Sequence, residues 1–73
     1  MKSMSRFEIE VSSVPDRKNL VAEVWYDEIL VAEINQETKK MEIEFYLNEK
    51  ITFDLNDFLK TLKIAKRKII KEL

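Results

Sequence analysis

The stretch MEIEFYLNEKITFDLNDFLKTLKIAKRKII, residues 41–70, changes its hydrophobic period part-way along, and that change decides the fold class. Up to Leu47, the apolar residues Met41, Ile43, Phe45 and Leu47 alternate with Glu42, Glu44 and Tyr46, which is the period of a half-buried strand. From Leu55 onward, Leu55, Phe58, Leu59, Leu62, Ala65, Ile69 and Leu73 recur at three- and four-residue spacings, which marks an amphipathic helix over about 55–72. Asp54 is the expected N-cap, with Asp57 placed where a carboxylate supports the first turn and Asn56 as the competing cap. Lys66, Arg67, Lys68 and Lys71 crowd the last turns, where cations oppose the negative end of the helix dipole. Such a helix is about 27 Å long and a seven-residue strand about 23 Å, so one helix fits diagonally across one sheet face.

Upstream, the period-two pattern repeats. Residues 6–12 place Phe7, Ile9 and Val11 on one face and Glu8 and Glu10 on the other. A loop follows, with Pro15 suited to the second position of a turn, Asp16 after it, and Asn19 tolerant of left-handed backbone. Residues 20–27 form a second strand with Leu20, Ala22, Val24 and Tyr26 inward, and residues 29–35 a third with Leu30, Ala32 and Ile34 inward. Asp27 and Glu28 reverse the chain between them without the glycine that primed turns favour. Residues 40–47 make the fourth strand and 51–53 a short fifth. The expectation is a two-layer α+β domain over 6–73, an antiparallel meander of four to five strands with the C-terminal helix packed on one face. Residues 1–5 are expected to be a flexible lead.

Composition narrows the function. The 73 residues are 45% hydrophobic and 37% charged, the balance of a folded chain. There is no cysteine, histidine or glycine. Thiolate chemistry and Cys-based metal sites are thereby excluded. The usual neutral-pH base is absent, as are the glycine-dependent phosphate loops and nucleophile elbows. The chain reads as a non-enzyme with no catalytic residue, metal or cofactor. No apolar run is long enough to span a membrane, and the first residues lack the apolar core of a signal peptide. A cytoplasmic protein is the expectation.

Charge is segregated. Residues 1–54 carry 12 acids against 7 bases, and residues 55–73 carry 6 bases against 2 acids. With one helix, one sheet face is expected to stay open, carrying Glu8, Glu10, Val21, Glu23, Trp25, Val31, Glu33, Asn35, Glu42, Glu44 and Tyr46. Trp25 and Tyr46 have the amphipathic bulk typical of binding anchors. Glu23, Glu33, Glu42 and Glu44 would supply field and hydrogen bonds. An acidic face repels phosphate, which argues against nucleic acid there. On the helix, Lys60, Lys63, Arg67 and Lys71 lie opposite the apolar stripe, with Ile64 beside them, as an ordinary solvated face.

The segments Val21-Ala-Glu-Val-Trp-Tyr-Asp27, Leu30-Val-Ala-Glu-Ile-Asn-Gln-Glu37, Met41-Glu-Ile-Glu-Phe-Tyr46 and Phe53-Asp-Leu-Asn-Asp-Phe-Leu-Lys-Thr-Leu62 together resemble small bacterial immunity proteins of polymorphic-toxin and contact-dependent inhibition systems. The resemblance implies a protein partner, a cognate toxin domain that is often a nuclease. An acidic inhibitor suits the positive, phosphate-binding site of such a toxin. Two other readings stand beside it: a self-associating structural protein, with a homodimer through this face or an edge strand, and a nucleic-acid binder using the basic helix.

Overall fold

The computed structural model describes residues 6–71. Strands β1 (Phe7–Ser12), β2 (Val21–Tyr26), β3 (Ile29–Asn35) and β4 (Glu42–Phe45) are followed by helix α1 (Leu55–Lys71). The strands form one four-stranded sheet in the order β1-β2-β3-β4, each neighbour antiparallel. This is the α+β meander with a C-terminal helix that the change of period predicts. The expected lead at residues 1–5 and the helix end at residue 72 lie outside the described residues.

Local chemistry explains the punctuation. The Arg17 N–H donates to the Val14 carbonyl at 3.2 Å, closing a turn with Pro15 and Asp16 at its centre, where Pro pre-sets φ. Between β2 and β3, Asp27 takes φ 56°, a left-handed geometry that Asp tolerates better than most non-glycine residues. Asp54 caps α1: its Oδ2 accepts the Asp57 N–H at 2.8 Å, and its carbonyl accepts the Phe58 N–H at 3.0 Å.

The core is small. Ala22, Val24 and Ile34 of the sheet meet Ala65 and Ile69 of α1, with Phe7, Ile9, Met41 and Leu62 packed around them. At one end, Phe7, Tyr26, Phe53 and Phe58 form a ring cluster with centroids 4.8–5.6 Å apart, the range in which tilted aromatic pairs attract.

Five expectations need correction. Residues 51–53 join no strand; Phe53 instead turns into the ring cluster. Leu30 does not stay in phase with Ala32 and Ile34, because a bulge shifts the β2–β3 register between Val24 and Trp25, pairing Val24 with Ala32 but Trp25 with Leu30.

The sheet face away from α1 is not open throughout. Val21, Val31, Glu33 and Asn35 are buried there, because the β1–β2 loop folds back over β3 and β4 and anchors through Arg17.

The helix is also rolled. Its buried positions are Thr61, Ala65 and Ile69, whereas Leu55 and Leu59 of the apolar stripe are exposed at 68% and 47%. At about 100° per residue, the buried line lies roughly 50° round the helix from the centre of the stripe. Because α1 packs on β1 and β2, the helix-side face of β4 stays open. Ile43 and Phe45, expected inward, are exposed.

Candidate protein-binding surface

The strand register lines up glutamates. Glu10 stands opposite Glu23, Glu23 opposite Glu33, and Glu33 opposite Glu44, so one row of four carboxylates crosses the whole sheet. Like charges directly opposite destabilise a ladder, and the fold answers with Arg17. Its Nε donates to Glu33 Oε2 at 2.8 Å, and its terminal nitrogen bonds Glu44 Oε1. The Tyr46 hydroxyl donates to the other Glu33 oxygen at 3.1 Å. Glu33 is 5% exposed, and a carboxylate that deep requires partners on both oxygens.

These contacts set protonation. Burial disfavours the Arg17 charge, but the neighbouring Glu33 carboxylate outweighs it and holds the guanidinium charged well above its ordinary range. Burial, then the hydrogen bond and charge of Glu33, push the Tyr46 phenol up from 10.0. Beside them, Glu37 accepts the backbone N–H groups of Lys18 and Asn19 at 3.0 and 2.9 Å. Those two bonds stabilise its charged form and lower it from 4.5.

The six residues singled out in the sequence therefore separate. Glu33, Glu44 and Tyr46 are gathered around Arg17 and hold the loop down. Trp25 and Glu23 belong together, the indole Nε1 donating to Glu23 Oε1 at 3.3 Å. Glu42 is exposed at the far strand, apart from both groups.

What remains open surrounds Trp25. An open depression of about 700 Å³ is lined by Glu8, Ile9, Glu10, Trp25, Asp27 and Glu28. Asp27 is paired with Arg6 at 3.3 Å, and the Arg6 guanidinium sits 5.7 Å from the Tyr26 ring centroid. Among the described residues, no cation lines the depression itself. An indole bordered by carboxylates suits a lysine or arginine side chain, through cation–π attraction and charge-assisted hydrogen bonds together.

Arg17 was not singled out from the sequence. Its signal was there: a row of facing glutamates requires a counter-charge, and Arg17-Lys18 is the basic pair in the loop joining the first two strands. Among the described residues there is no group of three or more acidic, His or Cys side chains placed to hold a metal ion. Among the described residues, no helix is long and apolar enough to cross a membrane. Compared with known proteins, the chain matches no family model, no curated protein and no solved structure.

Proposed function

We propose that this chain is a non-enzymatic protein-binding module whose partner is a basic protein, held at the acidic surface around Trp25. The observation that carries the reading is the depression in which the Trp25 indole is bordered by Glu8, Glu10, Asp27 and Glu28, with no cation among the described residues that line it. A basic side chain entering there gains the indole face and at least two carboxylates. Glu10 and Glu23, neighbours in the glutamate row, extend the negative field beside it, and such a field raises the association rate with a positive partner. Together with the resemblance to immunity proteins, this supports a toxin domain of the nuclease type as that partner. The Glu33, Glu44 and Tyr46 group then plays a supporting part, holding the sheet face in shape beside the contact.

The test is capture from lysate with the immobilised chain, run side by side with its Trp25→Ala variant. The wild type retains a basic domain, identified by mass spectrometry, and purified in turn it binds Trp25→Ala at least ~2 kcal/mol, or about 30-fold, more weakly. Circular dichroism of the variant stays native, since Trp25 is only half-buried. Equal retention by both baits, or an unfolded variant, overturns the reading.

A further inference from the structure

A second surface, on the opposite side of the sheet, is unaccounted for by that reading. Among the described residues, the buried hydrophobics are valine, alanine and isoleucine only: Val21, Ala22, Val24, Val31, Ala32, Ile34, Ala65 and Ile69. Among the larger apolar side chains that are exposed, five form one feature. Ile43 and Phe45, 39% and 57% exposed, stand on the helix side of β4. Leu55, Leu59 and Ile70, 68%, 47% and 47% exposed, lie by helical periodicity on the flank of α1 that also carries Leu62 and Lys66. Leu62 and Lys66 face β4 across a groove of about 250 Å³ shared with Ile34, Met41, Glu42 and Ile43. The result is an apolar trough with α1 as one wall and the helix-side face of β3 and β4 as its floor.

We propose that a second copy of this chain covers the trough, in a two-fold dimer where each α1 wedges its Leu55–Leu59 flank into the trough of the other protomer, beside Ile43 and Phe45. Three observations select this occupant. The first is width. Strands spaced about 4.8 Å apart make β3 and β4 together roughly 10 Å across, the width of one helix. A four-stranded sheet thus seats two helices, and α1 lies mainly over β1 and β2, reaching β3 at Ile34 and leaving the helix side of β4 open.

The second is the roll of the helix. Its apolar stripe is wider than the monomer uses, and the unused part is the flank that faces the trough. An isologous interface needs one patch that is complementary to itself, and a chain presenting both the ridge and the adjoining trough has one. The third is charge. Lys66 and Glu42 both line the trough, with Lys63 beside Lys66 on the ridge. Two-fold pairing can set the Lys66 of one protomer against the Glu42 of the other, and the Glu42 of the first against the Lys66 of the second.

This inference does not depend on the Trp25 reading, because the two surfaces lie on opposite faces of the sheet. The test is sedimentation equilibrium of the full chain across a dilution series. The expected mass is twice 8.8 kDa at ~100 µM, with a Tm that rises with protein concentration, as linkage between folding and assembly requires. Leu59→Lys and Phe45→Lys each weaken the dimer at least ~100-fold. Leu55→Lys, at the most exposed of these positions, does the same without reaching the monomer's core. A monomer across the whole series overturns the proposal. A dimer that Phe45→Lys dissociates but Leu59→Lys and Leu55→Lys leave intact also overturns it, in favour of edge pairing through β4. Should Phe45→Lys or Leu59→Lys unfold, Leu55→Lys, at a position 68% exposed, decides: a dimer that it leaves intact overturns the proposal.

Discussion

Replacing Tyr46 by Phe removes one oxygen and tests the account of the buried glutamate. The Tyr46 hydroxyl donates to Glu33 Oε1 at 3.1 Å, and Glu33 is 5% exposed. A hydrogen bond to a charged group contributes about 1.5–3 kcal/mol. Tyr46 itself is 41% exposed, so water partly replaces the lost donor and the expected cost is ~1–1.5 kcal/mol. For a chain of this size that lowers Tm by roughly 5–10 °C. The assay is thermal and urea unfolding at one fixed protein concentration, carried through a double-mutant cycle with Glu33→Met. In the Glu33→Met background no carboxylate remains to accept the bond, so Tyr46→Phe becomes nearly silent.

The alkaline limb gives a second readout. The folded phenol is raised above 10.0, so its neutral form is the one the fold favours. That contribution is complete below the unfolded value and fades as pH rises through the folded one. Tyr46→Phe therefore flattens the loss of stability above about pH 10. A loss below ~0.3 kcal/mol in the wild-type background, or an equal loss in the Glu33→Met background, refutes the reasoning.

Other perturbations test the packing, the cap and the loop. Ile69→Ala empties a fully buried site between the sheet and α1 and lowers stability by ~2–4 kcal/mol in urea unfolding; under ~1 kcal/mol would place α1 elsewhere. Asp54→Ala removes the acceptor for the Asp57 N–H at a cost of about 1 kcal/mol, whereas Asp54→Asn keeps most of it. Glu37, lowered from 4.5 by the Lys18 and Asn19 amides, stabilises the fold above its unfolded pKa and stops doing so as pH falls through the lowered folded value. The gap in urea midpoint between wild type and Glu37→Gln is therefore present near pH 7 and shrinks towards about pH 3. A gap that is constant across this range would mean that the carboxylate does not hold the loop.

The architecture was legible because two periods are written cleanly into the chain. Alternation at Phe7–Val11 and Met41–Phe45 marked strands, and Asp54 marked the start of the helix. The choice of faces failed where long-range geometry intervened. Leu55 and Leu59 have the spacing of core residues, yet α1 settles over β1 and β2, and the ring cluster of Phe7, Phe53 and Phe58 fixes its roll. Period-two reasoning also placed Glu33 on the open face, available to a partner. Nothing local to Glu33 announces that a loop 16 residues earlier delivers Arg17 to it. Trp25 is half-buried in β2 beside its acidic neighbours, but the bulge that pairs it with Leu30 has no marker in a chain without glycine.

The strap across the sheet also bears on motion. At one end, β2 and β3 are joined by the two-residue Asp27–Glu28 turn; at the other, Lys18 and Asn19 are tied to Glu37, and Asn19 Nδ2 to the Gln36 carbonyl. The central hairpin is thus closed at both ends while its flanking strands are held on one side only. Its amides, at Val24 and Ala32 above all, form the unit that opens last, and exchange with solvent should spread inward from β4 before reaching them.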